Sequence, residues 1–306
     1  MWSATLEIDG PAHVAEWGSG SVRIVLVHGL GGSHLNWMRV APQLTRYGRV
    51  LAPDLPGFGR TPAAGHPTTV GGYVDFLDRV IDQTCTEPVV LVGNSMGGLV
   101  ALVEAARHPE RVAGLVLVDA VLPGPWRGRR PPLVVLAFIS YLVPSLGCRV
   151  LRHVRDRLSV EDLVAGAIRL LAQRPELIPA DVIEAHIELE RERGRSRDND
   201  AAYVQAAHSI AGALVNRVGF RRLIGRVSAP TLIVHGDADR LVRADAARKA
   251  QRRRRDWELH VLDDVGHIPM LEVPHQFLEI LNAWLPSHVR ETPPRPVAPA
   301  PASSSF

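Results

Sequence analysis

The sequence predicts an α/β fold: a mostly parallel central sheet with helices on both faces and a helical insertion. Three observations lead to this class. From residue 22 onward, short β-branched runs alternate with amphipathic stretches, as in sheets that helices cover on both sides. The alternation stops between residues 122 and 227 and then resumes. One strand-like run leads through a glycine-flanked serine, Ser95, straight into a helical stretch.

The predicted strands differ in how apolar they are, and this decides their place in the sheet. Residues 4–8 and 14–17 predict an antiparallel pair at one edge. Six further runs are almost continuously apolar, which indicates strands that are buried on both faces. These runs cover residues 22–27, 50–53, 89–92, 115–118, 231–234 and 259–262.

Helical periodicity fills the intervals between these strands. It covers residues 35–47, 70–84, 98–107 and 244–254, and also 158–171, 180–193 and 201–214 within the interruption. We therefore expect a core domain of residues 1–121 and 228–288, with residues 122–227 inserted as a helical cap or lid. Residues 289–306 lack periodicity and are rich in Pro, Ala and Ser, which predicts a disordered tail.

Composition and charge favour a globular protein with small-molecule chemistry. The 306 residues are 46% hydrophobic and 22% charged, with a net charge of +3, so no nucleic-acid partner is expected. The densest basic run, residues 252–255, falls where a helix should end and where cations are favourable. The two cysteines form no disulfide framework, and residues 1–7 lack the pattern of a signal peptide, so none is expected; together these observations predict a reduced, cytoplasmic protein.

An apolar stretch at residues 133–146 contains fourteen uncharged residues. It is shorter than the roughly 20 residues that span a bilayer, and Pro144 should kink a helix there, so no stable membrane span is expected. We predict a buried helix. The alternative is an apolar lid surface that meets a greasy substrate or makes transient contact with a membrane surface.

Ser95 is the candidate nucleophile. It lies in Gly93-Asn94-Ser95-Met96-Gly97, between a predicted strand and a predicted helix, which is the arrangement of a nucleophile turn. Glycine at positions 93 and 97 removes Cβ atoms that would collide across so sharp a turn. The Met96 N–H at the start of the helix should stabilise a developing oxyanion.

A second oxyanion donor is expected after the strand at residues 22–27. There His28-Gly29-Leu30-Gly31-Gly32 lets the backbone approach a bound carbonyl closely, and the Leu30 N–H is the candidate. For His28 we expect a role in bracing this loop rather than in catalysis.

An acid and a base should follow the serine in the chain, each after a later strand. The run at 231–234 leads to Asp237 and Asp239, and the run at 259–262 leads to His267. The carboxyl ends of parallel strands meet at one edge of a sheet, where ligands bind.

Five motifs occur in a fixed order over residues 5–285: His28-Gly29, the Asp54-Leu55-Pro56-Gly57-Phe58-Gly59 loop, the Ser95 turn, Gly236-x-x-Asp239 and Gly266-His267. In this order they resemble the α/β-hydrolase fold superfamily, in particular its serine esterase and lipase-like members with a helical cap. The resemblance implies Ser95 as nucleophile, Asp239 as acid and His267 as base. It also offers Asp119 as a substitute acid, although we expect Asp119 to cap its strand and Asp54 to fix its turn.

The resemblance implies hydrolysis of a carboxylic ester through an acyl-enzyme, and the stretch at 133–146 favours an apolar acyl chain. Alternatives are a carbon–carbon bond hydrolase of the meta-cleavage-product type, a cofactor-free perhydrolase or haloperoxidase, and a ligand receptor without turnover. Against the first, Ile268-Pro269-Met270 follows His267 where that group usually has an aromatic residue. The histidines show no metal-ligand spacing and Gly29-x-Gly31 lacks a dinucleotide motif, so no metal or cofactor is expected. The oligomeric state stays open.

Overall fold

A computed structural model describes residues 1–124, 136, 139–194 and 196–288 of the chain. Its strands are β1 (Trp2–Glu7), β2 (Pro11–Trp17), β3 (Val22–Val27), β4 (Arg49–Pro53), β5 (Val89–Asn94), β6 (Val112–Val118), β7 (Thr231–Gly236) and β8 (Glu258–Leu262). They form one sheet in the order β1-β2-β4-β3-β5-β6-β7-β8. This confirms the predicted α/β class.

The direction of the strands also agrees with the prediction. Strands β3 to β8 pair in parallel, whereas β2 is antiparallel to both β1 and β4. The chain passes from β3 outward to β4 and then returns to the other side of β3 as β5. This reversal creates a crevice at the carboxyl ends of β3 and β5, which is where α/β sheets bind ligands.

The helices are α1 (Ala41–Leu44), α2 (Val70–Thr84), α3 (Met96–Arg107), α4 (Pro144–Arg157), α5 (Val160–Leu171), α6 (Ala180–Arg193), α7 (Arg197–Val215), α8 (Arg217–Arg226), α9 (Ala244–Arg253), α10 (Pro269–Glu272) and α11 (Pro274–His288). Short 3₁₀ turns lie at His34–Trp37, Thr45–Tyr47, Pro109–Arg111 and Pro175–Leu177. Helices α4 to α8 all fall between β6 and β7. The helical insertion is therefore present, although its limits as a domain stay a prediction.

Side chains that alternate along the strands build a core on each face of the sheet. On β3, Val25 and Val27 join the core that α2 and α3 cover, while Ile24 and Leu26 join the core that α11 covers. All four side chains are buried. A strand that is apolar at every position therefore needs helices on both sides, as the sequence predicted.

The predicted helix at residues 35–47 is wrong. Two 3₁₀ turns and the four-residue α1 take its place, because Pro42 lacks the N–H that would continue the helix backward. The structure also contains α4, α8 and α11, which the periodicity did not predict.

The sequence predicted a buried helix at residues 133–146, and this prediction is wrong for the part that the structure describes. Tyr141 is buried, but Leu136, Ile139, Leu142 and Leu146 are exposed. Pro144 is the first residue of α4 instead of a kink, since the first turn of a helix needs no N–H from that position. The remainder of this stretch and the predicted tail at 289–306 lie outside the described residues. Within the described part of the chain, no helix is both long and apolar enough to cross a bilayer.

Candidate active site

Ser95 occupies a strained turn between β5 and α3. Its φ is 55° and its ψ is −117°, a conformation that a side chain rarely adopts. The Ser95 N–H donates to the Val118 carbonyl at 2.9 Å, and the Ser95 carbonyl accepts from Val121 at 3.0 Å. Hydrogen bonds to the end of β6 therefore stabilise the strained backbone.

The two glycines of the turn remove different collisions. A Cβ at Gly93 would strike the backbone of Gly97 across the turn, as the sequence predicted. A Cβ at Gly97 would instead strike the carbonyl oxygens of Val27 and His28. Gly97 thus allows α3 to begin directly against the end of β3, which brings the Ser95 turn beside the loop that carries Leu30.

The two predicted oxyanion donors lie in neighbouring segments at this edge, one in a helix and one in a loop. Met96 is the first residue of α3, and Leu30 lies in the loop where a Cβ at Gly29 would be 2.9 Å from the Cβ of Ser95. Neither N–H donates to an acceptor in the described part of the chain. Both are therefore available to a bound oxygen atom.

Asp239 and His267 meet at the ends of β7 and β8. The Nδ1 of His267 lies 2.6 Å from the Oδ2 of Asp239, and both side chains are buried. The Oδ1 of Asp239 accepts the N–H groups of Leu241 and Val242 at 2.7 and 3.0 Å. One carboxylate oxygen thus fixes Asp239 in its own loop while the other orients the imidazole of His267.

The second buried carboxyl, Asp119, has a different electrostatic state. Burial and the neighbouring Asp239 charge raise the pKa of Asp119 well above its ordinary value. For Asp239, burial opposes ionisation, but the charge of His267 and its hydrogen bond hold the pKa below the usual range. Of this pair, Asp239 carries the negative charge that faces His267. The Oδ1 of Asp119 accepts the Gly236 N–H at 2.9 Å, so this carboxyl joins the end of β6 to β7 instead of capping its own strand.

Asn94 and Glu272 organise the site and were not predicted. The Asn94 amide donates to the His267 carbonyl at 3.0 Å and to the Val118 carbonyl at 3.2 Å, which joins the serine turn to the histidine loop. Buried Glu272 accepts the N–H groups of Gly266, Gln173 and Arg174 at 2.9 to 3.1 Å. A single acid within an apolar run, Met270-Leu271-Glu272-Val273, was the available signal.

His28 and Asp54 have the bracing roles that the sequence predicted. The Nε2 of His28 accepts the Leu55 N–H at 2.9 Å, and burial lowers the pKa of His28 to about 4. Asp54 accepts the N–H groups of His34 and Arg60 at 2.7 and 2.9 Å. Asp237, the alternative acid in the sequence, is exposed and accepts the Asp264 N–H at 2.7 Å.

Among the residues that the structure describes, three clusters of His and acidic side chains are compact enough to hold a metal ion: His13 with His34 and Asp54, Asp78 with Glu104 and His108, and Asp119 with Asp239 and His267. In the first, both histidine Nδ1 atoms already lie 2.8 to 3.0 Å from the Asp54 carboxylate. These contacts are ordinary hydrogen bonds that join β2 to the loops around Asp54.

Residues 24–280 match the Alpha/beta hydrolase family. The chain belongs to this family. A relative, the 2-hydroxy-6-oxo-2,4-heptadienoate hydrolase of Pseudomonas putida, is 29% identical over 275 residues, which cover 86% of this chain and 88% of the relative. Lipase 1 of Psychrobacter immobilis is 26% identical over 251 residues, covering 81% of this chain and 72% of the lipase. The structure of a thermophilic esterase from Thermogutta terrifontis, 25% identical, covers 95% of this chain and all of the esterase with a TM-score of 0.67.

In this α/β hydrolase, side chains of the helical insertion lie beside the Leu30 loop. A Cβ at Gly31 would be 3.0 Å from the ring of Tyr203 on α7, and that ring contacts Tyr141 edge to face at 5.7 Å between centroids. Leu30 and Leu151 pack in the same cluster. The hydrolase thus presents an apolar, aromatic wall next to its candidate oxyanion donors.

Proposed function

We propose that this hydrolase cleaves carboxylic esters with an apolar acyl chain, using Ser95 as nucleophile, His267 as base and Asp239 as acid. The observation that carries the proposal is the 2.6 Å hydrogen bond between His267 and buried Asp239, at the sheet edge that also carries the strained Ser95 turn. A carboxylate on Nδ1 leaves Nε2 of the imidazole to accept the serine proton.

The reaction proceeds in two halves. Ser95 Oγ attacks the ester carbonyl carbon as its proton passes to Nε2 of His267, giving a tetrahedral oxyanion. The oxyanion collapses, the alcohol leaves with the proton from His267, and Ser95 is acylated. Water then loses a proton to His267, attacks the acyl carbon and releases the carboxylic acid, while Ser95 regains its proton.

The N–H groups of Leu30 and Met96 stabilise the oxyanion in both halves. Because Met96 is the first residue of α3, the positive end of the helix dipole adds to the two hydrogen bonds. Both donors are backbone groups, so their position depends on the glycines around them rather than on a side chain.

The preference for an apolar acyl chain follows from the wall formed by Leu30, Tyr141, Leu151 and Tyr203. Since three of these residues come from the helical insertion, we infer that residues 122–227 act as a cap that shapes the acyl site. The lipase and the esterase among the relatives are consistent with this substrate class.

Replacing the nucleophile tests this proposal. We expect Ser95→Ala to lower turnover of p-nitrophenyl butyrate by roughly 10⁴-fold or more, because the acyl-enzyme cannot form. Ser287→Ala changes an exposed serine of α11 and should retain wild-type turnover. The wild-type kcat/KM should rise from acetyl to medium-chain esters. Turnover that survives Ser95→Ala contradicts the mechanism, and a flat chain-length profile contradicts the apolar site.

Carbon–carbon bond hydrolysis is the second candidate, because the 29%-identical relative is named for such a substrate. Buried Ile268 follows His267 where that group usually has an aromatic residue, which favours the ester. Assaying 2-hydroxy-6-oxo-2,4-heptadienoate beside the ester series distinguishes the two. If the dienoate is turned over faster than the esters and this activity is lost in Ser95→Ala, Ser95 remains the proposed nucleophile but the ester is no longer the proposed substrate.

A further inference from the structure

Exposed apolar side chains are concentrated on one part of the hydrolase. Among the described residues, thirteen large apolar side chains are exposed, and eight of them lie between residues 136 and 158. Each of the eight is between 37% and 63% exposed. Isolated exposed apolar residues are normal, whereas a contiguous group on a short segment indicates an interaction surface.

Helix α4 and its flanks carry two neighbouring rows of exposed side chains, one apolar and one basic. The apolar row consists of five exposed residues at steps of four: Leu142, Leu146, Val150, Val154 and Leu158. The basic row consists of Arg149, His153 and Arg157, which are also exposed and also four residues apart. Each member of the basic row follows a member of the apolar row by three residues, so the rows are neighbours on the outer side of α4.

The opposite side of α4 is attached to α7. Arg155 binds buried Asp200 at 3.0 Å, and Arg152 lies 3.8 Å from the same carboxylate. Gly147 is buried where a Cβ would be 3.0 Å from both Tyr141 and Val204. The orientation of the helix is therefore fixed by inner contacts, and its outer rows are held toward solvent.

A cavity next to the basic row is rich in arginine. It is lined by Arg152, Arg155, Asp156, Ser196, Arg197 and Asp200. Arg197 is exposed at the start of α7, and Asp156 is the single acidic residue within α4. Because Arg152 and Arg155 lie against Asp200, Arg197 is the guanidinium of this cavity that joins Arg149 and Arg157 of the basic row as an exposed donor, which suits phosphate oxygens.

We propose that the outer side of α4 docks on an anionic phospholipid membrane. The apolar row inserts among the upper acyl chains, and the exposed guanidinium groups of Arg149, Arg157 and Arg197 bind lipid phosphates at headgroup level. A helix with an apolar row bordered by cations fits this interface, whereas a neutral protein partner would leave the arginines unpaired. The docking adds to the proposed ester hydrolysis, because it places the cap at a lipid phase. It rests on that proposed function only for where the substrate comes from.

Vesicle flotation tests the docking directly. We expect the full chain to bind phosphatidylcholine vesicles that contain about one-third phosphatidylglycerol roughly tenfold more tightly than pure phosphatidylcholine vesicles. Leu146→Asp with Val150→Asp should abolish binding to both kinds of vesicle. Arg149→Glu with Arg157→Glu should remove the preference for the anionic vesicles. Val215→Asp changes an exposed valine at the end of α7 and should bind as the wild type does.

Two further measurements separate this proposal from the catalytic one. All of these surface variants should hydrolyse p-nitrophenyl butyrate within about twofold of the wild type, since they lie outside the catalytic groups. Ser95→Ala should bind vesicles normally even if it loses turnover. Absence of wild-type binding, or binding unchanged by the double aspartate variant, overturns the docking. The docking is also overturned if light scattering shows that two copies of the chain associate through the apolar row while vesicles stay unbound.

Discussion

At the scale of single residues, strain and charge are concentrated within one small region. Ser95 and Asp119 both adopt positive φ, 55° and 44°, and their backbones are joined through the end of β6. Conformations of this kind each cost of order 1–3 kcal/mol and persist where the surrounding structure determines them. Here the cost falls on the serine turn and on a second carboxyl beside the Asp239–His267 pair.

The assignment of the acid gives a residue-scale prediction. Asp239→Asn should lower kcat by roughly 10³ to 10⁴-fold, because an amide no longer stabilises the imidazolium or fixes its tautomer. Asp119→Asn should cost less than about tenfold, since a carboxyl with a strongly raised pKa is already neutral. Steady-state kinetics on p-nitrophenyl butyrate compare the two, with circular dichroism to check folding. The reverse order of effects would transfer the acid role to Asp119.

At the scale of elements, the histidine loop is held by the helical insertion. The His267 N–H donates to the Leu171 carbonyl at 2.6 Å, and a Cβ at Gly266 would strike that carbonyl. Glu272 on α10 then accepts two further N–H groups from the chain after α5. A shift of the insertion would therefore be transmitted to the proposed base, and in the proposed mechanism it would change catalysis.

Glu272 provides the test of this coupling. Glu272→Ala leaves one buried and two half-buried N–H groups without this acceptor, so we expect the free energy of unfolding to fall by about 2–4 kcal/mol. The kcat should fall as well, because the His267 loop loses its attachment. Glu279→Ala, at an exposed position of α11, should change both quantities little. Urea unfolding and ester kinetics measure the effects, and an unchanged kcat in folded Glu272→Ala would refute the coupling.

At the scale of the whole molecule, much of the fold could be predicted because a strand buried on both faces must be apolar throughout. The order of the loops after β3, β5, β7 and β8 also predicted which residues would gather at one edge. The exposure of Leu142 and Leu146 could not be predicted, since the apolar character of a segment does not indicate whether other residues cover it. Asn94 and Glu272 were missed because their partners, such as His267 and Gln173, are distant in sequence.

The stability of the whole domain should depend on pH through Glu104. Burial and the Asp78 charge raise the pKa of Glu104 to about 7, and neither carboxylate oxygen has a hydrogen-bond partner in the described structure. The folded state therefore holds a proton that the unfolded state releases above its ordinary pKa of 4.5. Stability should fall as the pH rises from about 4.5 to about 7 and level off above that.

Glu104→Gln should remove this loss of stability at higher pH. We expect the variant to gain about 1–3 kcal/mol over the wild type at about pH 8 and little at about pH 4.5. The exposed neighbour Glu110→Gln should gain little at either pH. Urea unfolding at the two pH values measures the difference. A gain of equal size at both would show that the charge of Glu104 is not its cause.

Covalent labelling tests the central claim, that Ser95 is the activated nucleophile of a working ester hydrolase. A fluorophosphonate probe should add one phosphonyl group to the wild-type chain, on the peptide that contains Ser95, and should abolish ester turnover in proportion to labelling. His267→Ala should label far more slowly because Ser95 loses its base. Labelling at another residue, or complete labelling of Ser95 in a protein that turns over no ester, would contradict the account.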